Sequence, residues 1–121
     1  MKTHTYRDLT VWQKGVTLTV EMYKLTEKFP KEELYGLTSQ MRRAAISIPS
    51  NIAEGKLRGS DKELRKFLLI AFGSGGELET QLEASKKLGL VNEENCAKVS
   101  LLLDGVMRML NTMISQLTPN A

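Results

Sequence analysis

The chain has 121 residues, 41% of them apolar and 26% charged, with a formal net charge of +3 and an isoelectric point near 9.1. That length suits one domain with its own core, needing neither disulfides nor a structural metal. A single cysteine, Cys96, and a single histidine, His4, exclude a disulfide framework and are too few for an all-protein Cys/His zinc site.

The opening run MKTHTYRDLTVW lacks the apolar stretch of a signal peptide, and no later segment reaches the ~18 apolar residues of a membrane span. A soluble, cytoplasmic protein is expected, with Cys96 a small buried residue in a reducing compartment. Strand signals are nearly absent, and long runs of helix formers carry apolar residues at three and four spacing. The fold class is all-α, an antiparallel up-down-up-down four-helix bundle occupying the whole chain as one domain.

Asp8 is placed to cap a first helix over residues 9–28, with Leu9, Trp12, Val16, Val20 and Tyr23 as its inner face and Pro30 as its breaker. Pro30 and the following KEEL can open an extra turn. The second helix is expected over 37–57, with Leu37, Met41, Ala44, Ala45, Ile48, Ile52 and Leu57 at helical intervals. Its phase is kept on both sides of Pro49, which predicts one kinked helix; two short helices broken at 47–50 are the alternative. An interior proline costs about 3 kcal/mol through a lost hydrogen bond and a clash with the preceding turn. Ser47 and Asn51 lie beside it and can satisfy the backbone groups it frees.

Ser60 to Glu63 has the S-x-x-E pattern of a capping box and begins a third helix over 61–88, ended by Gly89. Its inner stripe is Leu64, Leu68, Ala71, Gly75, Leu78 and Leu82. The GSGG run at 73–76 sets three glycines in four helical positions, each costing about 0.5–1 kcal/mol relative to alanine, and close approach of another backbone is the expected compensation. Asn92, Glu93 and Glu94 start a fourth helix over 93–117, with a heptad seam of Cys96, Val99, Leu103, Val106, Leu110, Met113 and Leu117. Leu102, Met109 and Ile114 flank that seam and widen the apolar face, either as a subunit interface or as the broad stripe of a small bundle.

Charge is concentrated between residues 42 and 66, where Arg42, Arg43, Lys56, Arg58, Lys62, Arg65 and Lys66 stand against Glu54, Asp61 and Glu63, a net of +4. That exceeds the excess of the entire chain. A solvated helix-turn-helix corner and a phosphate-binding surface both fit. On a helical wheel Arg43, Ser47, Asn51, Glu54 and Arg58 fall within roughly 80° of one another, opposite the apolar stripe. This ladder is a recognition face or an internal polar network.

No nucleophile–base pair, P-loop or zinc signature occurs, so no enzyme activity, catalytic residue, metal site or cofactor is expected. Glu54, Glu77 and Glu79 lack the Glu-x-x-His partners of di-iron bundles. Trp12 reads as core. With aromatics at 6% of the chain, any nucleic-acid contact would be mostly electrostatic.

The segments YRDLTVWQKG, FPKEELYGLTSQMRRAAISIPSNIAEG and FLLIAFGSGGELETQLEASKKLGL resemble the four-helix-bundle proteins encoded by intervening sequences within bacterial 23S ribosomal RNA genes. The resemblance runs from Tyr6 to the end of the fourth helix; only Gly75 and Gly76 stand where bulkier residues are more usual. It implies a ring-like homopentamer, related to the basic accessory protein of diversity-generating retroelements, which is associated with nucleic acid and a reverse transcriptase. The matching positions are Arg42, Arg43, Ser47, Asn51, Glu54 and Arg58 on the second helix and Gly73, Ser74 and Glu77 on the third. The expected partners are other copies of the chain, RNA or DNA, or a protein recruited by the oligomer, and no membrane. A non-enzymatic bundle binding structured RNA or DNA, and a protein–protein scaffold whose polar motif is structural, are the two competing readings.

Overall fold

The computed structural model describes residues 5–117; His4 lies outside them. Four helices carry the fold: α1 (Thr10–Thr26), α2 (Ser39–Leu57), α3 (Asp61–Lys87) and α4 (Glu93–Gln116). Among the described residues there is no strand, and no helix is long and apolar enough to cross a membrane. Each helix packs on the next, and α4 returns against α1.

The contacts fix the directions. Gly15 meets Pro49 while Arg42 reaches Tyr23 and Thr26, so α1 and α2 run antiparallel. Ser47 bonds Ser74 and Ser85 reaches Met41, so α2 and α3 do the same. Gly75 abuts Met107 and Lys86 reaches Glu93 across α3 and α4, while Glu21 bridges to Lys98 across α1 and α4.

The second helix runs unbroken through Pro49, so the two-helix alternative is excluded. The buried pyrrolidine ring explains why a proline stands there. A Cβ built on Gly15 would lie 3.3 Å from the Pro49 Cβ and 3.4 Å from its Cδ, so the bare glycine of α1 makes the space into which the ring packs. The extra turn after Pro30 forms as a 3₁₀ segment, Lys31–Glu33, followed by a π-type turn, Leu34–Thr38, that delays the start of α2 to Ser39. Gly59 and Gly89, with φ of +87° and +78°, supply the left-handed residues that end α2 and α3.

The inner face of α1 differs from expectation. Val16, Val20 and Tyr23 are exposed, and the core stripe is Val11, Gly15, Leu18, Thr19, Met22, Leu25 and Thr26. Two threonines can be buried there because each hydroxyl donates to its own helix, Thr19 to the Gly15 carbonyl at 2.9 Å and Thr26 to Met22 at 2.7 Å. A buried stripe containing glycine and threonine reads as polar, which hid it. Asp8 does not cap α1 either. It closes a 3₁₀ turn, Tyr6–Asp8, whose cap is Thr5, and α1 starts from Leu9 without a side-chain cap. Trp12 is half-buried, edge-on to Tyr6 at 5.2 Å.

On α4 the seam holds from Cys96 to Leu110, then shifts: Ile114 is buried, whereas Met113 and Leu117 are half-buried. Leu102 and Met109 pack against the core, so most of the wide apolar face points inward. Leu57, expected inside α2, is exposed.

Candidate nucleic-acid interface and the α2–α3 polar network

Most of the polar ladder on α2 turns toward α3. Asn51 Nδ2 donates to the Ser47 carbonyl at 2.8 Å and to Ser47 Oγ at 3.0 Å, and Ser47 Oγ lies 2.8 Å from Ser74 Oγ. The carbonyl that Pro49 leaves without its helical donor belongs to Ala45, so Asn51 serves the next turn and the crossing to α3 instead. With Asn51 donating into the Ser47 oxygen, Ser47 can donate to Ser74, which leaves Ser74 a proton for a further acceptor.

The glycine run is explained in part. A Cβ on Gly75 would collide with Met107 Sδ, so this glycine receives a methionine side chain from α4, not a backbone as expected. Among the described residues, nothing outside their own stretch of helix comes within 4 Å of a Cβ position on Gly73 or Gly76. The backbone approach that does need a glycine is at Gly55, where a Cβ would lie 2.8 Å from Phe67 Cβ and 3.3 Å from Leu64 Cα.

The seven basic candidates do not make one surface. Arg42 and Arg43 lie near the start of α2, roughly 20 Å of helical rise from the α2–α3 turn that carries the other five. Residues 54–66 set five cations against three carboxylates, a net of +2 at that corner. Arg58 is neutralised by Glu54 at 2.7 Å and Glu63 at 3.8 Å, with its guanidinium 5.0 Å from the Phe67 ring centre. The Glu54 hydrogen bond raises the Arg58 pKa further above its already high ordinary value, so the guanidinium stays charged at any working pH. Arg65 is half-buried, with Nε enclosed and without a hydrogen-bond partner among the described residues. Arg43, Lys56, Lys62 and Lys66 are exposed and make no ion pair among the described residues.

Arg42 is a pin between helices. Its Nε donates to Thr26 Oγ1 at 2.8 Å, its Nη2 to the Tyr23 carbonyl at 3.2 Å, and its guanidinium stacks 4.4 Å from the Tyr23 ring centre. Arg42→Ala is expected to cost about 1–2 kcal/mol in urea denaturation, from the lost stacking and hydrogen bonds. Arg42→Lys should recover only part of it, because an ammonium cannot reproduce the planar fork. Equal stability of all three proteins would refute the pin.

Among the described residues no three His, Cys, Asp or Glu side chains converge on a possible metal site. Glu77 receives only a long contact, 3.5 Å from Gln81 Nε2, and lines a cleft between α2 and α3 with Arg43 and the exposed Tyr35. Sequence reasoning missed Tyr35, because an isolated aromatic in a turn carries no periodic signal.

A family model described as 23S rRNA-intervening sequence protein matches residues 7–112. No curated protein matches the chain.

Proposed function

The chain belongs to the 23S rRNA-intervening sequence protein family, and we propose that it is a non-enzymatic, cytoplasmic homo-oligomer that binds structured RNA or DNA through exposed cations. The observation that carries this reading is the set of solvent-facing charges without carboxylate partners, Lys56, Lys62 and Lys66 around the α2–α3 turn and Arg43 farther along α2. Unpaired exposed cations keep their full attraction for phosphates, whereas Arg58 has already lost much of its own to Glu54 and Glu63. Self-association, as the pentamer the resemblance implies, is favoured by apolar side chains left outside the core: Val16, Val20 and Tyr23 on α1, Leu69 and Ile70 on α3, and Leu101 on α4.

Titrating the protein into a labelled structured RNA over a salt series tests the reading. Each neutralised phosphate contributes a slope of about −0.9 in log affinity against log salt for duplex, somewhat less for single strands. Absence of binding at micromolar protein in low salt, or an affinity that ignores salt, would refute it. The scaffold reading draws on the inward use of Ser47, Asn51 and Ser74, which makes the polar motif part of the packing. A protein partner that stays bound after nuclease treatment, together with no direct RNA binding, would decide for the scaffold.

A further inference from the structure

We propose that the cleft between the start of α2 and the middle of α3 is a pocket for one unstacked base of a single-stranded nucleic acid, a site that deepens the nucleic-acid reading above and rests on it. The cleft has a volume of about 430 Å³, within the range of roughly 300–1,000 Å³ for small-molecule sites. Its lining includes Tyr35, Gln40, Arg43, Ser47, Ser74 and Glu77.

Three features select the ligand chemistry. First, Arg43 and Glu77 share the cleft without forming an ion pair, so each charge is left to meet something else. A molecule that carries an anion at one end and an N–H donor at the other would satisfy both, as a nucleotide does with its phosphate and exocyclic amine. Second, Tyr35 is 93% exposed at the rim. The π-type turn Leu34–Thr38, with Gly36 at φ −116° and ψ −116°, interrupts the helix there and holds the ring out in solvent. An aromatic ring so placed provides a stacking face that any base can use. Third, in the arrangement where Ser47 donates to Ser74, the Ser74 hydroxyl proton is available to an acceptor on the ligand.

The roles follow from these positions. Tyr35 stacks the base, Glu77 accepts from an exocyclic amine as acidic side chains do from cytosine N4, and Arg43 holds the adjacent phosphate. Gln81 supports Glu77 from below: its Nε2 reaches Glu77 at 3.5 Å, and its buried Oε1 has no partner among the described residues. Unlike the lysines of the α2–α3 turn, this pocket distinguishes an unpaired base from a duplex and an amine-bearing base from uracil.

Anisotropy titrations with short fluorescein-labelled oligo(rC) and oligo(rU) test the pocket. The parent is expected to bind oligo(rC) more tightly. Tyr35→Ala should weaken binding to both by roughly ten-fold or more with the salt slope unchanged, and Tyr35→Phe should retain affinity. Glu77→Gln should erase the preference for cytosine. Because Tyr35 touches solvent almost everywhere, its loss should leave the melting temperature unchanged, which separates the effect from misfolding. Parent-like affinity of Tyr35→Ala, or a loss that Tyr35→Phe does not restore, overturns the pocket. If Lys62→Ala weakens binding in that same experiment, the broader reading survives; if the parent binds no oligonucleotide or structured RNA, both fail.

Discussion

Replacing Gly55 with valine is expected to lower the stability of the fold by about 3 kcal/mol, the upper part of the range for overpacking a core. For a chain of this size that corresponds to a fall in melting temperature of roughly 10 °C or more. The first added carbon would lie 2.8 Å from Phe67 Cβ and 3.3 Å from the Leu64 Cα. Neither atom can rotate away, since one is backbone and the other is fixed to it, so α2 and α3 must separate. Gly73→Ala should do the opposite. It lies in the interior of α3, where no described atom outside its own stretch of helix comes within 4 Å of the Cβ position, and alanine there gains about 0.5–1 kcal/mol of helix propensity. Urea denaturation of both variants at low protein concentration reads the two signs. A Gly55→Val midpoint equal to the parent's would mean that the helices do not approach as described.

The second large effect concerns binding. Substituting Lys56, Lys62 and Lys66 together by glutamine is expected to weaken RNA binding on the order of 100-fold near physiological salt, and to reduce the salt slope by about 3. Glutamine keeps much of the side-chain length while removing the charge, and the three lysines make no ion pair that the substitution would break among the described residues. Lys98→Gln is the matched control, because Lys98 is bound to Glu21 on the α1–α4 side of the bundle. Unchanged affinity in the triple variant, or an equal loss in the control, would remove the α2–α3 turn from the interface.

Much of the bundle was legible because helix periodicity and end signals are local. Both ends of α3 and the start of α4 follow from Ser60, Gly89 and Asn92, and the apolar phase through Ile48 and Ile52 predicts the continuity of α2 across Pro49. The inner face of α1 was not legible, because two apolar stripes coexist there and the buried one runs through Gly15, Thr19 and Thr26. Only the neighbouring helices decide which stripe turns inward.

The polar motif divides in the same way. Sequence spacing put Arg43, Ser47, Asn51, Glu54 and Arg58 on one face, but it could not say that Asn51 is spent on Ser47 and Ser47 on Ser74, while Arg43 makes no ion pair among the described residues. Nor could it separate Arg42, held on Tyr23 and Thr26, from the lysines that still face solvent. Charge counted along a sequence adds residues that the fold sets far apart or neutralises in pairs.

The sequence by itself determined an all-α bundle, both ends of α3, the start of α4 and membership in one family, since local hydrogen bonding and apolar spacing are written within each segment. The tertiary structure alone decided which glycines are needed, which stripe of α1 is core and which cations are free. Those properties depend on distances between segments far apart in the chain. Pro49 needs both descriptions: its place in α2 follows from phase, and the reason it is tolerated lies across the interface, in the space left by Gly15.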